Sequence, residues 1–482
     1  STHTSDALYQ VGGISATTLC RKLGLTKEMG IEQVCEFLQD YIRESPAHFA
    51  FVHETDQMAL AVVDIVRTTP LFYRLIDDEF CISDDAESLM SAPLCDELDD
   101  ASWTEFVLAG YVSGKKTLSR YIHQLEAGCF LLYDKKKRRL NVERYYQFWP
   151  RIPTNERYNA LIEKLDHVFN HAISRVIEQA DGAPIVVPLS AGMDSRLILA
   201  KLHEHKYDNL YAFSYGVSGN HEQKVASWVA EKLSVPWQFV QSDRRNAKML
   251  WKSANRSDYW RLAANISSLP VMNDFEAITR MRDEGSLDDD AMIVNGQTGD
   301  FISGGHVPLE LLVGFCNSER IIDHIVKKHF KLWRNHPNSF ELDLISEAIA
   351  QTINFDRDRE QNISILGRAD LLELWEFQER QAKLVVNGQR LYEFFRLSWA
   401  LPLWDIEVVE FFRSVPIEYR LEQSLFLDYL ATWNYKSLFR GKRWRDERWP
   451  GRLAPLMKLL GLLAKSANLD PELVSTHFAF LG

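Results

Sequence analysis

The segment Ile185-Val186-Val187-Pro188-Leu189-Ser190-Ala191-Gly192-Met193-Asp194-Ser195-Arg196 decides the fold. Its first three residues form a short, continuous β-branched run, the pattern of a strand buried on both faces of a parallel sheet. The small residues Ser190, Ala191, Gly192 and Ser195 follow. They leave room for phosphate oxygens to approach backbone N–H groups, and the helical pattern that begins at Arg196 points its positive end at the same place. Asp194 stands inside the turn, where a carboxylate can hold a Mg²⁺ ion that bridges phosphates. Two other phosphate-binding turns are excluded. No Lys follows to complete G-x-x-x-x-G-K-[ST], and G-x-G-x-x-G is absent.

Working outward, the strand–helix alternation continues. Leu161, Ile162, Leu165, Val168, Phe169, Ile173, Val176 and Ile177 recur at helical spacing. Strands are expected at 210–215, 237–240 and 291–295, with helices at 196–202 and 221–233. This alternation implies a doubly wound parallel sheet. From about 310 onward the pattern is mostly helical. Before residue 150 short apolar runs alternate with turn residues, and 49–52, 59–63, 71–75 and 80–83 read as strands. Segments 130–133 and 140–142 read as a hairpin whose turn is Asp134-Lys135-Lys136-Lys137-Arg138-Arg139. The first forty residues read as helical, with Ile31, Val34, Phe37 and Leu38 on one face. Pro150, Pro153 and the polar residues beside them read as a linker, which puts a domain boundary between 1–150 and 151–482.

A second Gly-rich segment is Ala291-Met292-Ile293-Val294-Asn295-Gly296-Gln297-Thr298-Gly299-Asp300-Phe301-Ile302-Ser303-Gly304-Gly305-His306. It too is a buried strand entering a loop that carries one carboxylate. In a doubly wound sheet the strand ends converge on one edge, where ligands bind. Asp194 and Asp300 are therefore expected to face one another across a nucleotide triphosphate and to supply the hard oxygen shell that Mg²⁺ prefers.

Composition narrows the field. Of 482 residues, 46% are apolar and 25% charged, which excludes whole-chain disorder. The net charge of −12 argues against a protein that grips nucleic acid, since clustered Lys and Arg drive such binding. The six cysteines form no C-x-x-C pair, so reduced thiols are expected rather than a disulfide scaffold or structural zinc. There is no signal-peptide pattern, and no stretch reaches the ~18 apolar residues of a membrane span. A cytoplasmic protein is expected. The nearest apolar run, 453–464, is interrupted by Lys458 and reads as a packed amphipathic helix.

The two turns together resemble the S-G-G-x-D-S pyrophosphatase loop and the G-x-G-x-D-E-x-x-G-G-Y segment of the asparagine-synthetase superfamily. Phe213-Ser214-Tyr215-Gly216, followed by Glu222 and Ala226, looks like the strand and helix that frame the adenine. Leu401-Pro402-Leu403-Trp404-Asp405 resembles V-P-F-L-D. Phe49-Ala50-Phe51, Asp64 to Tyr73, Ile82-Ser83-Asp84, Leu125-Glu126-Ala127-Gly128 and Arg144-Tyr145-Tyr146 look like parts of the glutaminase domain. The resemblance implies a degenerate Ntn-hydrolase-like domain over 1–150. Over 151–482 it implies an α/β PP-loop synthetase domain with a helical C-terminal extension.

The resemblance also implies a chemistry. ATP and Mg²⁺ are the expected cofactors. Leu189, Ser190, Ala191, Gly192, Asp194, Ser195, Phe213, Tyr215, Asn295, Gly296 and Asp300 form the nucleotide set, with Asp194 and Asp300 on the metal. A substrate carboxylate would be adenylated and then attacked by an amine. Lys436 or Lys442 would stabilise the oxyanion, and Glu379 or Glu393 would act as base.

Departures from the family refine this. The glutaminase of that family needs an N-terminal Cys, whereas this chain begins Ser1-Thr2-His3 and its first cysteine is Cys20. Glutamine hydrolysis is therefore not expected, with Ser1 as a rival nucleophile. Phe301 and Ser398 stand where asparagine synthetases carry Glu, in which the chain is similar to β-lactam synthetases and lasso-peptide cyclases. The amine would be ammonia, a product of a separate glutaminase, or a group on the substrate. The acceptor would be a sugar or amino-acid-like carboxylate of a polysaccharide or natural-product pathway. Ring closure to a lactam or macrocycle is an alternative, as is a non-catalytic scaffold. RNA base modification is a third, disfavoured by the acidic balance. A homodimer is expected. His203-Glu204-His205 and the pair His324 and His329 lack metal-site spacing, and the latter pair is expected at the surface. Asp288-Asp289-Asp290 reads as a solvated loop. Trp251, Tyr259 and Trp260 line a pocket or fill the core.

Overall fold

A computed structural model describes residues 7–12, 31–44, 48–91, 96–149, 152–242, 244–332, 337–353 and 362–439. Ser1, Cys20, Lys442 and the apolar run at 453–464 lie outside them. The chain divides into two compact units, 1–426 and 427–482.

In the first unit, five antiparallel strands form one sheet in the order β1-β2-β3-β7-β8. These are β1 (Ala7–Gly12), β2 (Phe49–Glu54), β3 (Met58–Val63), β7 (Cys129–Asp134) and β8 (Arg139–Arg144). The central strand β3, Met-Ala-Leu-Ala-Val-Val, is apolar throughout, and its last five residues are buried. A small sheet β5-β4-β6 joins β4 (Phe72–Ile76), β5 (Glu79–Ser83) and β6 (His123–Gln124). Helix α1 (Ile31–Glu44) precedes β2 and α2 (Asp100–Ala109) precedes β6. The helical reading of the first forty residues needs one correction. Residues 7–12 are an edge strand paired with β2. A six-residue edge strand is fixed by its ladder partner rather than by its own periodicity.

The parallel sheet has the order β11-β10-β9-β12-β13. It comprises β9 (Ile185–Pro188), β10 (Leu210–Gly216), β11 (Trp237–Gln241), β12 (Met292–Val294) and β13 (Ser398–Ala400). All four pairings are parallel. Helices α3 (Tyr158–Ala180), α4 (Met193–Glu204) and α5 (His221–Leu233) alternate with the first strands, as the spacing predicts. Helices α6 (Arg244–Trp251), α7 (Ala254–Ala264) and α8 (Phe275–Asp283) follow β11. Val186, Phe213, Val240 and Ile293 of the sheet pack with Tyr259 of α7 and Phe275 and Ile278 of α8 in one buried cluster. β13 escapes the sequence reading because Ser-Trp-Ala is too short to carry a pattern.

Successive strands step outward from β9 to β10 and β11, and then resume on its other side with β12. The carboxyl ends of β9, β10 and β12 therefore meet at a topological switch point, the crevice such sheets use for ligands.

After the short helix α9 (Gly299–Ile302), the chain builds a helical layer. Helices α10 (Ser318–His329), α11 (Ser339–Thr352) and α12 (Ile365–Glu376) share a core with Leu108 and Tyr111. A nine-residue π-helix, Phe377–Val385, continues directly from α12. No described helix is long and apolar enough to cross a membrane. Among the described residues Cys35, Cys81, Cys129 and Cys316 are free thiols. In the second unit, Trp433 stacks with Tyr429 and Tyr435, at ring-centroid distances of 5.9 and 5.5 Å.

Candidate nucleotide site

Between β9 and α4 the chain turns in four residues. The Ser190 amide donates to Ser195 Oγ (3.0 Å) and the Gly192 amide to Ser190 Oγ (3.0 Å). Arg196, fully buried, donates to the Ala191 carbonyl (2.9 Å) and pins the turn from behind. The Leu189 amide and carbonyl are tied to β10 through Phe213 O and Ser214 Oγ. Gly192 is the N-cap of α4, and no side chain caps that end. The first-turn amides are thus left for a ligand, and they favour an anion.

The second loop leans directly on this turn. A Cβ on Gly296 would lie 2.6 Å from the Ser195 amide nitrogen, so only glycine permits the approach. A Cβ on Gly299 would run into the Asp194 carboxylate. Here the Gly299 and Asp300 amides donate to Asp194. Even so, burial first, and the Asp300 charge second, push the Asp194 carboxyl up to about 7. Asp300 moves the other way. Burial opposes its charge, but hydrogen bonding from His306 holds it below the usual carboxylate range. His306 Nε2 lies 3.0 Å from Asp300, and Nδ1 contacts the buried Glu376. Between these two carboxylates the imidazole rises to about 9, against the opposing effect of burial, and acts as a cation donating to both.

Asp194 and Asp300 are accordingly the pair that could hold a cation. Among the described residues no group of three or more metal-ligating side chains occurs. A two-carboxylate set leaves the other coordination positions to phosphate and water oxygens, as a hard cation such as Mg²⁺ is usually bound.

A cavity of about 380 Å³ opens at this junction. Of the residues expected from the sequence, Leu189, Ser190, Gly192, Asp194, Ser195, Phe213, Tyr215, Asn295 and Gly296 line it. Ala191, in the turn, and Asp300, whose amide donates to Asp194, are not among the lining residues. Asp274 and Gln389 line the cavity without any sequence motif, and Tyr392 and Gln297, the latter inside the second Gly-rich segment, line it as well. The Asp274 carboxylate accepts from the hydroxyls of Tyr215 and Tyr392, and Tyr392 is held in turn by Asn295 Nδ2 (3.3 Å). Burial raises the Asp274 carboxyl above its ordinary value, against those two hydrogen bonds.

The two glutamates expected as bases lie elsewhere. Glu379 is fully buried, bonded to Lys383 Nζ (2.6 Å) and to the Gly114 amide. It clamps the 110–114 segment and does not line the cavity. Glu393 is outside the cavity as well, bonded to Trp399 Nε1 (3.3 Å) and paired with Arg390 (3.4 Å). Burial raises its carboxyl. Lys436 belongs to the second unit, in a 3₁₀ turn at φ 48°.

One surface expectation is corrected. The His329 side chain is only 5% exposed, because it packs on Trp375 and approaches Glu376. Burial lowers it to about 4. Tyr259 fills the core, while Trp251 and Trp260 sandwich Arg256 at 4.1 and 3.9 Å.

Comparison with known proteins bears on this arrangement. Two solved structures overlap the chain at low identity. One is described as the allosteric regulatory enzyme of purine biosynthesis, at 9% identity, TM-score 0.20, 61% of this chain and 54% of that one. The other is glutamine phosphoribosylpyrophosphate amidotransferase from B. subtilis complexed with ADP and GMP, at 11%, 0.18, 61% and 62%. The chain thus spans less than two thirds of either, and such scores bear on neither fold nor function. No curated protein sequence matches. Residues 164–441, more than half of the chain, match the family described as asparagine synthase. Both carboxylate-bearing turns fall inside that span, and the chain belongs to the asparagine synthase family.

Proposed function

We propose that this protein is an AMP-forming, ATP-dependent ligase that activates a carboxylate and converts it to an amide. Family membership supports ATP-dependent amide formation in general terms. The observation that carries the finer reading is the contact between the two turns. Gly296 lies against Ser195 and Gly299 against Asp194, which sets Asp194 in the lining of a cavity of about 380 Å³ with the Asp300 charge acting on it.

In the proposed reaction a carboxylate oxygen attacks the α-phosphorus of ATP. The bond to the β-phosphate bridging oxygen breaks, and pyrophosphate leaves. An amine then attacks the acyl carbon, loses a proton, and AMP departs. The α4 amides and the small turn residues would receive the pyrophosphate oxygens. Asp194 and Asp300 would hold Mg²⁺, which when bound spreads the leaving-group charge. Leu189, Phe213 and Tyr215 would line the base-side wall, and Asn295 with Gly296 the opposite one. The amine is ammonia or a group on the substrate. Residues 1–150 form in this reading a degenerate glutaminase-like domain with no glutaminase nucleophile.

Pyrophosphate release from Mg·ATP tests the reading, using the small-molecule pool of the source cells as substrate, with and without ammonium. Pyrophosphate that requires the pool and vanishes in Asp194→Ala is the expected result. Equal turnover by Asp194→Ala would refute the site.

A further inference from the structure

Part of the cavity lining is built to accept hydrogen bonds. Asp274 stands at the N-cap position of α8, yet its side chain does not cap that helix. An Asp there ordinarily satisfies a backbone donor of the first turn. Here the carboxylate is turned away from that task and takes the hydroxyls of Tyr215 and Tyr392. No cation pairs with it among the described residues. Gln389, another lining residue, is 1% exposed and spends its amide nitrogen on Gln297 (2.9 Å). Its Oε1 is buried and has no hydrogen-bond partner. A buried, unpaired acceptor is costly unless a ligand supplies the donor.

The other carboxylates of the cavity are committed. Asp194 faces Asp300, and Glu222 contacts the Ala191 amide. Asp274 and Gln389 Oε1 remain, two acceptors in the lining of one cavity. An ammonium group, with three donors and no acceptor, complements them. A second substrate carboxylate would meet Asp274 as a like charge.

Resting on the ligase reading, we propose that Asp274 and Gln389 form a subsite for the cationic amine of the substrate. The acid activated is then a monocarboxylate that carries its own ammonium group, and not a dicarboxylate or an uncharged acid.

ATP–pyrophosphate exchange by the full chain tests this without an amine donor. Three probe sets are compared: free monocarboxylic amino acids, their N-acetyl derivatives, and aspartate with glutamate. Exchange with the first set alone is expected. Asp274→Asn and Gln389→Leu should each raise the concentration needed for half-maximal exchange, by roughly tenfold to a hundredfold for the charged contact and less for the neutral one. Melting temperatures of both variants identify a folding defect, and the probe comparison on the parent protein does not depend on either variant. Comparable exchange with N-acetyl acids or dicarboxylates would overturn the proposal. So would no exchange with any set while the parent binds Mg·ATP. A parent that fails to bind Mg·ATP refutes the ligase reading itself, a result told apart by direct nucleotide titration.

Discussion

Replacing Asp194 with Asn should stabilise the metal-free protein and at the same time abolish Mg·ATP binding. The carboxyl moves from an ordinary 3.8 to about 7 on folding, through burial and the neighbouring Asp300 charge. The shift is upward, so the protonated form is the one the fold prefers. Stability linked to this group is complete below about pH 4, falls as pH rises, and is fully lost above about pH 7. At 1.36 kcal/mol per unit the loss is at most about 4 kcal/mol, reduced by whatever water enters the cavity. Asparagine keeps an oxygen for the Gly299 and Asp300 amides but never ionises. The melting temperature of the variant should therefore exceed that of the parent by a few degrees at pH 8 in a chelator, and match it near pH 4. Scanning fluorimetry from pH 4 to 8.5 reads this directly, and calorimetric titration reads the lost nucleotide binding. A variant less stable than the parent at pH 8, or a difference that does not change with pH, would show that the Asp194 carboxyl is not held out of water against Asp300.

Other parts of the site are as open to test. Gly299→Ala drives a methyl into the Asp194 carboxylate, so Mg·ATP affinity should fall by more than tenfold while circular dichroism is unchanged; undiminished affinity would mean the two loops are not in contact. Glu373→Gln strips the partner from fully buried Arg420, which also holds the Ile302 carbonyl (2.9 Å), and should cost about 3–5 kcal/mol. Thermal denaturation checks this, and a loss below about 1 kcal/mol would contradict it. His306 gains its proton from folding, so its contribution is complete below about pH 6.5 and is lost as pH rises through about 9. Melting temperatures of His306→Gln should lack that alkaline decline, and an identical profile in variant and parent would refute the assignment.

The parallel sheet was legible wherever a strand is a continuous apolar run between helices of clear period. Ile185–Pro188 and Leu210–Gly216 are such runs, each flanked by amphipathic helices. The two carboxylate-bearing turns were legible because small residues and glycine have few other uses after a buried strand. Charge was the misleading signal. Glu379 and Glu393 read as candidate bases, yet Glu379 is buried against Lys383 and against the Gly114 amide far along the chain, and neither lines the cavity. Asp274 gave no signal for a similar reason. Its role arises from Tyr215 and Tyr392, which lie 59 and 118 positions away and which only the packing of α8 against the sheet brings together.

The π-helix Phe377–Val385 has a consequence for how this cavity tolerates change. Such a ladder uses one more residue per hydrogen-bonded turn than an α-helix, and extended runs of it are rare. Gly388, Gln389, Leu391 and Tyr392 are delivered to the cavity within seven positions of its end. Their facing is therefore set by chain length as well as by residue identity. Deleting one residue from 377–385 would let the ladder relax to α geometry, rotating Gln389 and Tyr392 away from Asp274 with no side chain of the cavity altered. This wall should accept substitutions at the partly exposed Arg380, Leu384 and Val385 of the π-helix and hardly any change in its length.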